Sequence, residues 1–170
     1  SFYDAIAQNY EHIFPLQQTR TDFVEQQLEE RPKEIVDLGC ATGSLGCALA
    51  QAGWSVLGLD LNSTMVAIAQ ERAAAQQLSA RFIVEDMRAI QDRCAGHSLA
   101  GVLCFGNTLV HLTSSTEIAA LCAKVHGLLV PGGSFIGQIV NYDRILSQRP
   151  PGLPTIDNER ICFERNYHYD

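Results

Sequence analysis

Charge is scarce in this sequence. Only 18% of its 170 residues are charged and 46% are hydrophobic, which excludes a disordered chain and supplies enough apolar material for one core. The six cysteines at 40, 47, 94, 104, 122 and 162 contain no C-x-x-C pair, and most lie in apolar runs. That usage argues against a zinc site or a disulfide framework and for buried, reduced thiols. The five histidines at 12, 97, 111, 126 and 168 show no H-x-x-x-H or other ligand spacing, so no metal is expected. No stretch approaches the roughly 20 apolar residues of a membrane span, and Ser1-Phe2-Tyr3-Asp4 lacks the basic and apolar regions of a signal peptide. A soluble, cytoplasmic protein without a membrane partner is expected. Twelve basic residues face nineteen acidic ones, and the net charge of −7 repels phosphate backbones. Nucleic acid is therefore not an expected partner.

What is present is an alternation of strands and helices. Residues 1–32 mix aromatics with amides and carboxylates and predict a helical lid, two helices parted at Pro15, the second running from Gln18 to Glu30 and stopped by Pro32. From Lys33 the pattern predicts strands over 34–38, 55–59, 80–84, 99–105 and 134–140. Helices are predicted over 44–52, after a cap at Asn62 or Ser63, and over 116–129. Alternation through 33–141 calls for right-handed crossovers, hence an α/β, Rossmann-like, doubly wound parallel sheet with helices on both faces. Beyond Asn141, Pro150, Pro151, Gly152 and Pro154 mark a loop, and 161–169 partly alternates like an exposed strand. Residues 142–170 are read as the start of a substrate-binding insertion or of a truncated C-terminal part.

The run Val36-Asp37-Leu38-Gly39-Cys40-Ala41-Thr42-Gly43 puts small residues between the first strand and the next helix. There a ligand can approach the backbone closely, and a nucleotide-type cofactor is implied; the alternative is a tight strand-to-helix connection. Its G-x-A-x-G spacing does not satisfy G-x-G-x-x-G, whose last glycine would have to be Ser44. Asp60 ends the second strand, twenty-one residues after Gly39. A carboxylate there accepts from ribose hydroxyls, or else caps the following helix. Asp86 ends the third strand at the same edge of the sheet, and is either an acceptor for an adenine amino group or a surface acid. Leu61 and Met87 offer apolar faces for the ring.

Together these features resemble the class I methyltransferases that use S-adenosylmethionine, particularly the small-molecule methyltransferase domains that include the quinone-biosynthesis enzymes. The resemblance spans about Tyr3 to Asn141 and rests on VDLGCATG at 36–43, LGLDLNSTMVAIA at 57–69, VEDMR at 84–88 and LLVPGGSFI at 128–136. Tyr-Asp-x-Ile-Ala-x-x-Tyr at 3–10 is similar to the family's N-terminal lid. The resemblance implies that Gly39 and Ala41 pack against the methionine portion, that Asp60 holds the ribose, and that Asp86 with Met87 holds the adenine. Ala41 stands where the family usually has a second glycine. The family's sheet has two further strands, the last antiparallel, so the chain is expected to be a fragment of a longer protein, or a reduced domain with an exposed sheet edge.

Methyl transfer from a sulfonium needs alignment and exclusion of water rather than a metal. Phe105-Gly106-Asn107-Thr108-Leu109-Val110-His111 follows the fourth strand. By the resemblance it lies beside the methionine moiety and the substrate, making Phe105 and Asn107 cofactor candidates. His111 is either a base for the acceptor or a structural histidine. Tyr3 and Tyr10, about two helical turns apart, either close over the sulfonium or pack the lid. Arg20 is either a partner for the methionine carboxylate or a surface arginine. Asn107-Thr108-Leu109-Val110 does not match the Asn/Asp-Pro-Pro-aromatic motif of DNA amino-methyltransferases. A small-molecule acceptor is expected, with a homodimer left open and Asn141, Tyr142, Asp143 and 150–170 near the acceptor. The rival readings are an NAD(P)-dependent oxidoreductase domain, which would share the turn and Asp60, and a catalytically idle cofactor-binding module.

Overall fold

β1 (Glu34–Leu38) is built from Ile35, Val36 and Leu38, all at most 1% exposed, and it occupies the centre of a five-stranded sheet. This is seen in a computed structural model that describes residues 2–28, 33–94, 96 and 98–169. The other strands are β2 (Ser55–Asp60), β3 (Ala80–Val84), β4 (Leu99–Cys104) and β5 (Leu129–Gly137). Their order is β3-β2-β1-β4-β5 and every pairing is parallel. A strand paired on both sides and covered on both faces must be apolar throughout, which explains the run of Val, Ile and Leu. The direction of strand succession reverses between β1 and β4. In an open parallel sheet the crevice at the carboxyl ends of such a pair is where a ligand binds.

The sheet is covered on both sides. Helix α4 (Ser44–Gln51), with Val24 and Leu28 from the segment of α3 (Gln18–Gln27) and its end, packs on Ile35, Ala100 and Leu103. Helix α5 (Ser63–Ala75) sets Val66, Ala69 and Ala73 against Phe82 and Cys47. On the opposite face, α6 (Ser115–Leu128) places Leu121, Val125 and Leu128 on Val36, Leu38, Val102 and Cys104. Asn62 caps α5 by accepting from the Met65 amide at 2.8 Å, and Ser114 caps α6 by accepting from the Glu117 amide. Among the described residues no helix is long and apolar enough to cross a membrane.

Both ends of the chain differ from the expectation. The first helix is not continuous: α1 (Phe2–Ile6), a 3₁₀ turn (Ala7–Asn9) and α2 (Tyr10–Ile13) follow one another. The described part of α3 ends at Gln27, and Glu30 and Pro32, its expected end, lie outside the described residues, as does His97. β5 begins at Leu129 rather than Ser134, because Pro131 sits on an edge strand, where a missing N–H removes no ladder bond. Between β3 and β4 the crossover is a 3₁₀ turn, Met87–Asp92. After Asn141 an unexpected helix, α7 (Tyr142–Gln148), comes first; the strand expected within 161–169 is β7 (Cys162–Asn166), and it pairs antiparallel with β6 (Gly152–Asp157), which lies where Gly152 and Pro154 mark a loop in the sequence. Of the cysteines, Cys40, Cys47 and Cys104 are buried, while Cys122 and Cys162 are exposed.

Candidate functional site

Two cavities meet over the carboxyl ends of β1 and β4, one of about 360 Å³ and one of about 420 Å³. They share a wall of Tyr3, Tyr10, Gly39, Ala41, Gly106 and Thr108. The turn after β1 shapes that wall. Gly39 has φ +72°, and a Cβ there would lie 2.4 Å from the Thr108 side chain. No other residue fits both the backbone and the space. Gly43 needs to be glycine on the same two grounds, φ +72° and a Cβ that would strike Ala69 and Phe82, but those neighbours belong to helix packing and it lines neither cavity. Ala41 is held at φ +46°, in the left-handed region that penalises a Cβ.

Asp60 holds the turn in place. One carboxylate oxygen accepts from the Ala41 amide at 2.9 Å and the other from the Asn62 amide at 2.9 Å. Asp60 therefore does not cap α5, since Asn62 does; it bridges the glycine turn to the head of that helix while facing the first cavity. Leu61, 68% exposed, and Met87 line the same cavity, as do Asn62, Met65 and Glu85. Asp86 lines neither cavity. Its carboxylate accepts from the Arg88 backbone and guanidinium, and that partner holds it below the usual carboxylate range. Of these two adjacent acids, the one on the cavity wall is Glu85, itself paired with Arg93.

The second cavity holds a buried acid. Asp37, 3% exposed, is pushed up to about 7 by burial first and by the charge of Asp60 second, with Arg20 pulling the other way. Arg20 lines the same cavity and lies over the Phe105 ring, 5.3 Å from its centroid. Asn107 is there too, but its amide is committed: it accepts from the Val140 amide at 3.0 Å and donates to the Tyr142 hydroxyl at 2.7 Å. It joins the exit of β5 to α7, a role that sequence reading did not anticipate.

The lid closes the roof. Tyr3 and Tyr10 line both cavities although their helix is broken between them. Burial pushes the Tyr10 hydroxyl up to about 12, with Tyr3 and Asp60 adding to the shift, so at neutral pH it is a donor and not a base. The Tyr3 hydroxyl lies 3.4 Å from His111 Nε2, at the wall of the first cavity. Two latches hold the lid down: Asp4 accepts from the Asn62 side-chain amide at 2.8 Å and the Thr64 hydroxyl at 3.2 Å, and Glu11 accepts from Thr42 and pairs with Arg72.

Residues not singled out one by one in the sequence also line the cavities. Leu153 and Arg165 of the hairpin, with Gln138, Ile139 and Val140 after β5, line the second cavity. Leu153 and Arg165 fall within 150–170, the segment expected near the acceptor, whereas Gln138, Ile139 and Val140 were read only as the end of the fifth strand.

Residues 35–133 match the family described as methyltransferase domain. A protein of Geobacillus sp. (strain WCH70) named as a methyltransferase is 33% identical over 145 residues, covering 83% of this chain and 58% of that protein. The ubiquinone biosynthesis O-methyltransferase of Coxiella burnetii is 27% identical over 122 residues, 72% of this chain and 50% of the enzyme. The chain thus spans little more than half the length of these curated relatives. Among solved structures, an S-adenosylmethionine-dependent methyltransferase from Clostridium acetobutylicum superposes with a TM-score of 0.76 at 21% identity, covering all of this chain and 71% of that one. That likeness concerns the fold. With the strand order, the glycine turn and the matched segment in agreement, the chain belongs to the methyltransferase domain family.

Proposed function

We propose that this chain binds S-adenosylmethionine across the two joined cavities and transfers its methyl group to a small-molecule acceptor. The observation that carries the reading is Asp60, which ties the glycine turn of β1 to the head of α5 and leaves its carboxylate on the cavity wall. The residues present fit the cofactor. Asp60 suits the ribose hydroxyls, and exposed Leu61 with Met87 suits the faces of the adenine. Asp37, a buried acid with no hydrogen-bond donor contributing to its shift, suits the methionine ammonium, and Arg20 suits its carboxylate.

Bound, the cofactor supplies a sulfonium methyl that is already electrophilic. What remains for the protein is to align the acceptor and keep water out. Tyr3 and Tyr10 roof the junction of the cavities with aromatic faces suited to a cation. His111 Nε2, beside the Tyr3 hydroxyl, is placed to take a proton from an acceptor hydroxyl or ammonium. The net charge of −7 favours a small acceptor over nucleic acid.

Calorimetric titration of the chain with S-adenosylmethionine, S-adenosylhomocysteine and NAD tests the cofactor. The two adenosyl compounds are expected to bind and NAD is not; binding of NAD in preference overturns the reading. A metabolite screen for cofactor-dependent gain of one methyl mass then reports whether the chain is active and on what.

A further inference from the structure

The second cavity contains a cation for which the cofactor has no use. Arg165 lies on β7, where Phe163 and Arg165 turn inward while Cys162, Glu164 and Asn166 are exposed. The neighbouring acid Glu164 is thus on the opposite face of the strand. One terminal nitrogen of the guanidinium donates to the Pro154 carbonyl at 2.7 Å, which fixes the group against β6. Its Nε is buried and has no acceptor among the described residues. A buried N–H without a partner is uncommon and disfavoured, more so on a charged group. Gly152 allows the arrangement: a Cβ there would sit 2.2 Å from the Arg165 carbonyl, so only glycine lets β6 approach β7 this closely.

Part of the cavity that Arg165 lines is apolar. Phe2, Phe14, Leu16, Ile139 and Leu153 line the same cavity, and Phe163 packs edge-on against Phe14 with ring centroids 5.9 Å apart. Among the described residues the only acid on this lining is Asp37, and burial already disfavours its charge. Arg20, the other cation, stacks on Phe105. In a chain of net charge −7, this cavity is locally short of negative charge. A planar guanidinium in an apolar setting recognises an oxyanion by paired hydrogen bonds.

We propose that Arg165 is a specificity-determining residue that holds an oxyanionic group, carboxylate or phosphate, of a methyl acceptor whose apolar body lies against the Phe2, Phe14 and Leu153 wall. The proposal rests on the methyl-transfer reading, which places the cofactor's own carboxylate at Arg20. The neutral walls take the ring or chain of the acceptor, and Arg165 sets its orientation toward the shared wall where the cavities join.

The test uses the whole chain saturated with S-adenosylhomocysteine and three ring probes: benzoate, phenyl phosphate and the neutral benzamide. Binding is followed by ligand-detected NMR. One of the two anions is expected to bind at least 10-fold more tightly than benzamide, and the tighter one names the group. Arg165→Gln should lose that preference while Arg165→Lys keeps part of it, and S-adenosylhomocysteine affinity should be the same in all three proteins. Equal binding of anions and benzamide to the unmodified chain, or an undiminished preference in a folded Arg165→Gln protein, overturns the proposal. Failure of the unmodified chain to bind S-adenosylhomocysteine refutes the cofactor reading instead, so the two failures are distinguishable.

Discussion

Replacing Asp60 by asparagine tests the centre of the site, because the side chain keeps its shape while losing its charge. The native carboxylate accepts two backbone N–H groups, from Ala41 and Asn62, each at 2.9 Å. The substituted amide would keep one of those acceptors and turn an NH₂ toward the other N–H. It would also present a weaker acceptor to the ribose. Hydrogen bonds to a charged group are worth about 1.5–3 kcal/mol, so affinity for S-adenosylhomocysteine should fall by roughly 10- to 150-fold at about 1.4 kcal/mol per decade. A second effect follows from the electrostatics. Asp60 helps to raise Asp37, so its neutralisation should let Asp37 ionise at lower pH. Calorimetry gives the first quantity and carbon-detected NMR titration of the Asp37 carboxyl gives the second, with a denaturant midpoint to confirm folding. A folded variant that binds within about twofold of the unmodified chain would refute the ribose role. An unmoved Asp37 titration would refute the coupling.

Four further outcomes are expected. Asp37 keeps its proton in the folded state up to about pH 7 but releases it near 3.8 when unfolded. The folded state therefore binds more protons between those values and stability falls as pH rises from about 4 to about 7; Asp37→Asn should flatten that slope in denaturant midpoints at several pH values, and equal slopes would exclude Asp37 as its source. Gly39→Ala places a methyl 2.4 Å from Thr108 at φ +72°, and overpacking with left-handed strain should cost about 2–4 kcal/mol by chemical denaturation; a loss under about 0.5 kcal/mol would contradict the packing. Ala41→Gly should do the reverse and stabilise by about 0.5–1 kcal/mol, because the residue already sits at φ +46°; a lower melting temperature would count against this. His111→Ala should leave S-adenosylhomocysteine affinity unchanged and lower turnover by about 10²-fold or more if its ring is the base, whereas near-normal turnover would reduce His111 to a lid contact for Tyr3.

Three of the legible strands share a cause. β1, β2 and β4 are buried on both faces, so their apolar runs could have no other use, and Asn62 announced the helix it caps. The start of β5 was hidden because Pro131-Gly132-Gly133 reads as a turn, although an edge strand tolerates all three. α7 has only seven residues, too few for a helical period to show. At the site, the glycine turn and Asp60 were readable because backbone conformation and strand ends leave a sequence mark. Glu85-Asp86 was not: two adjacent acids point to different sides, and which one faces the cavity depends on Arg88 capturing Asp86 from two residues away. The committed amide of Asn107 depends on Tyr142, thirty-five residues on, and local pattern cannot reveal such a partner.

The roof of the site also has a timetable. The Asn158 side chain donates to the His12 carbonyl across 146 residues of sequence, and Phe163 packs between Phe2 and Phe14. At ribosomal rates of about 5–20 residues per second, His12 waits on the order of 10 s for its partner to be made. During that interval the central sheet, all of it within residues 34–137, can assemble from shorter-range pairings. Phe14 meanwhile has no hairpin to pack against. Nascent chains halted before β7 should therefore hold a formed sheet with Phe14 still lacking Phe163, and that is a surface a chaperone would hold.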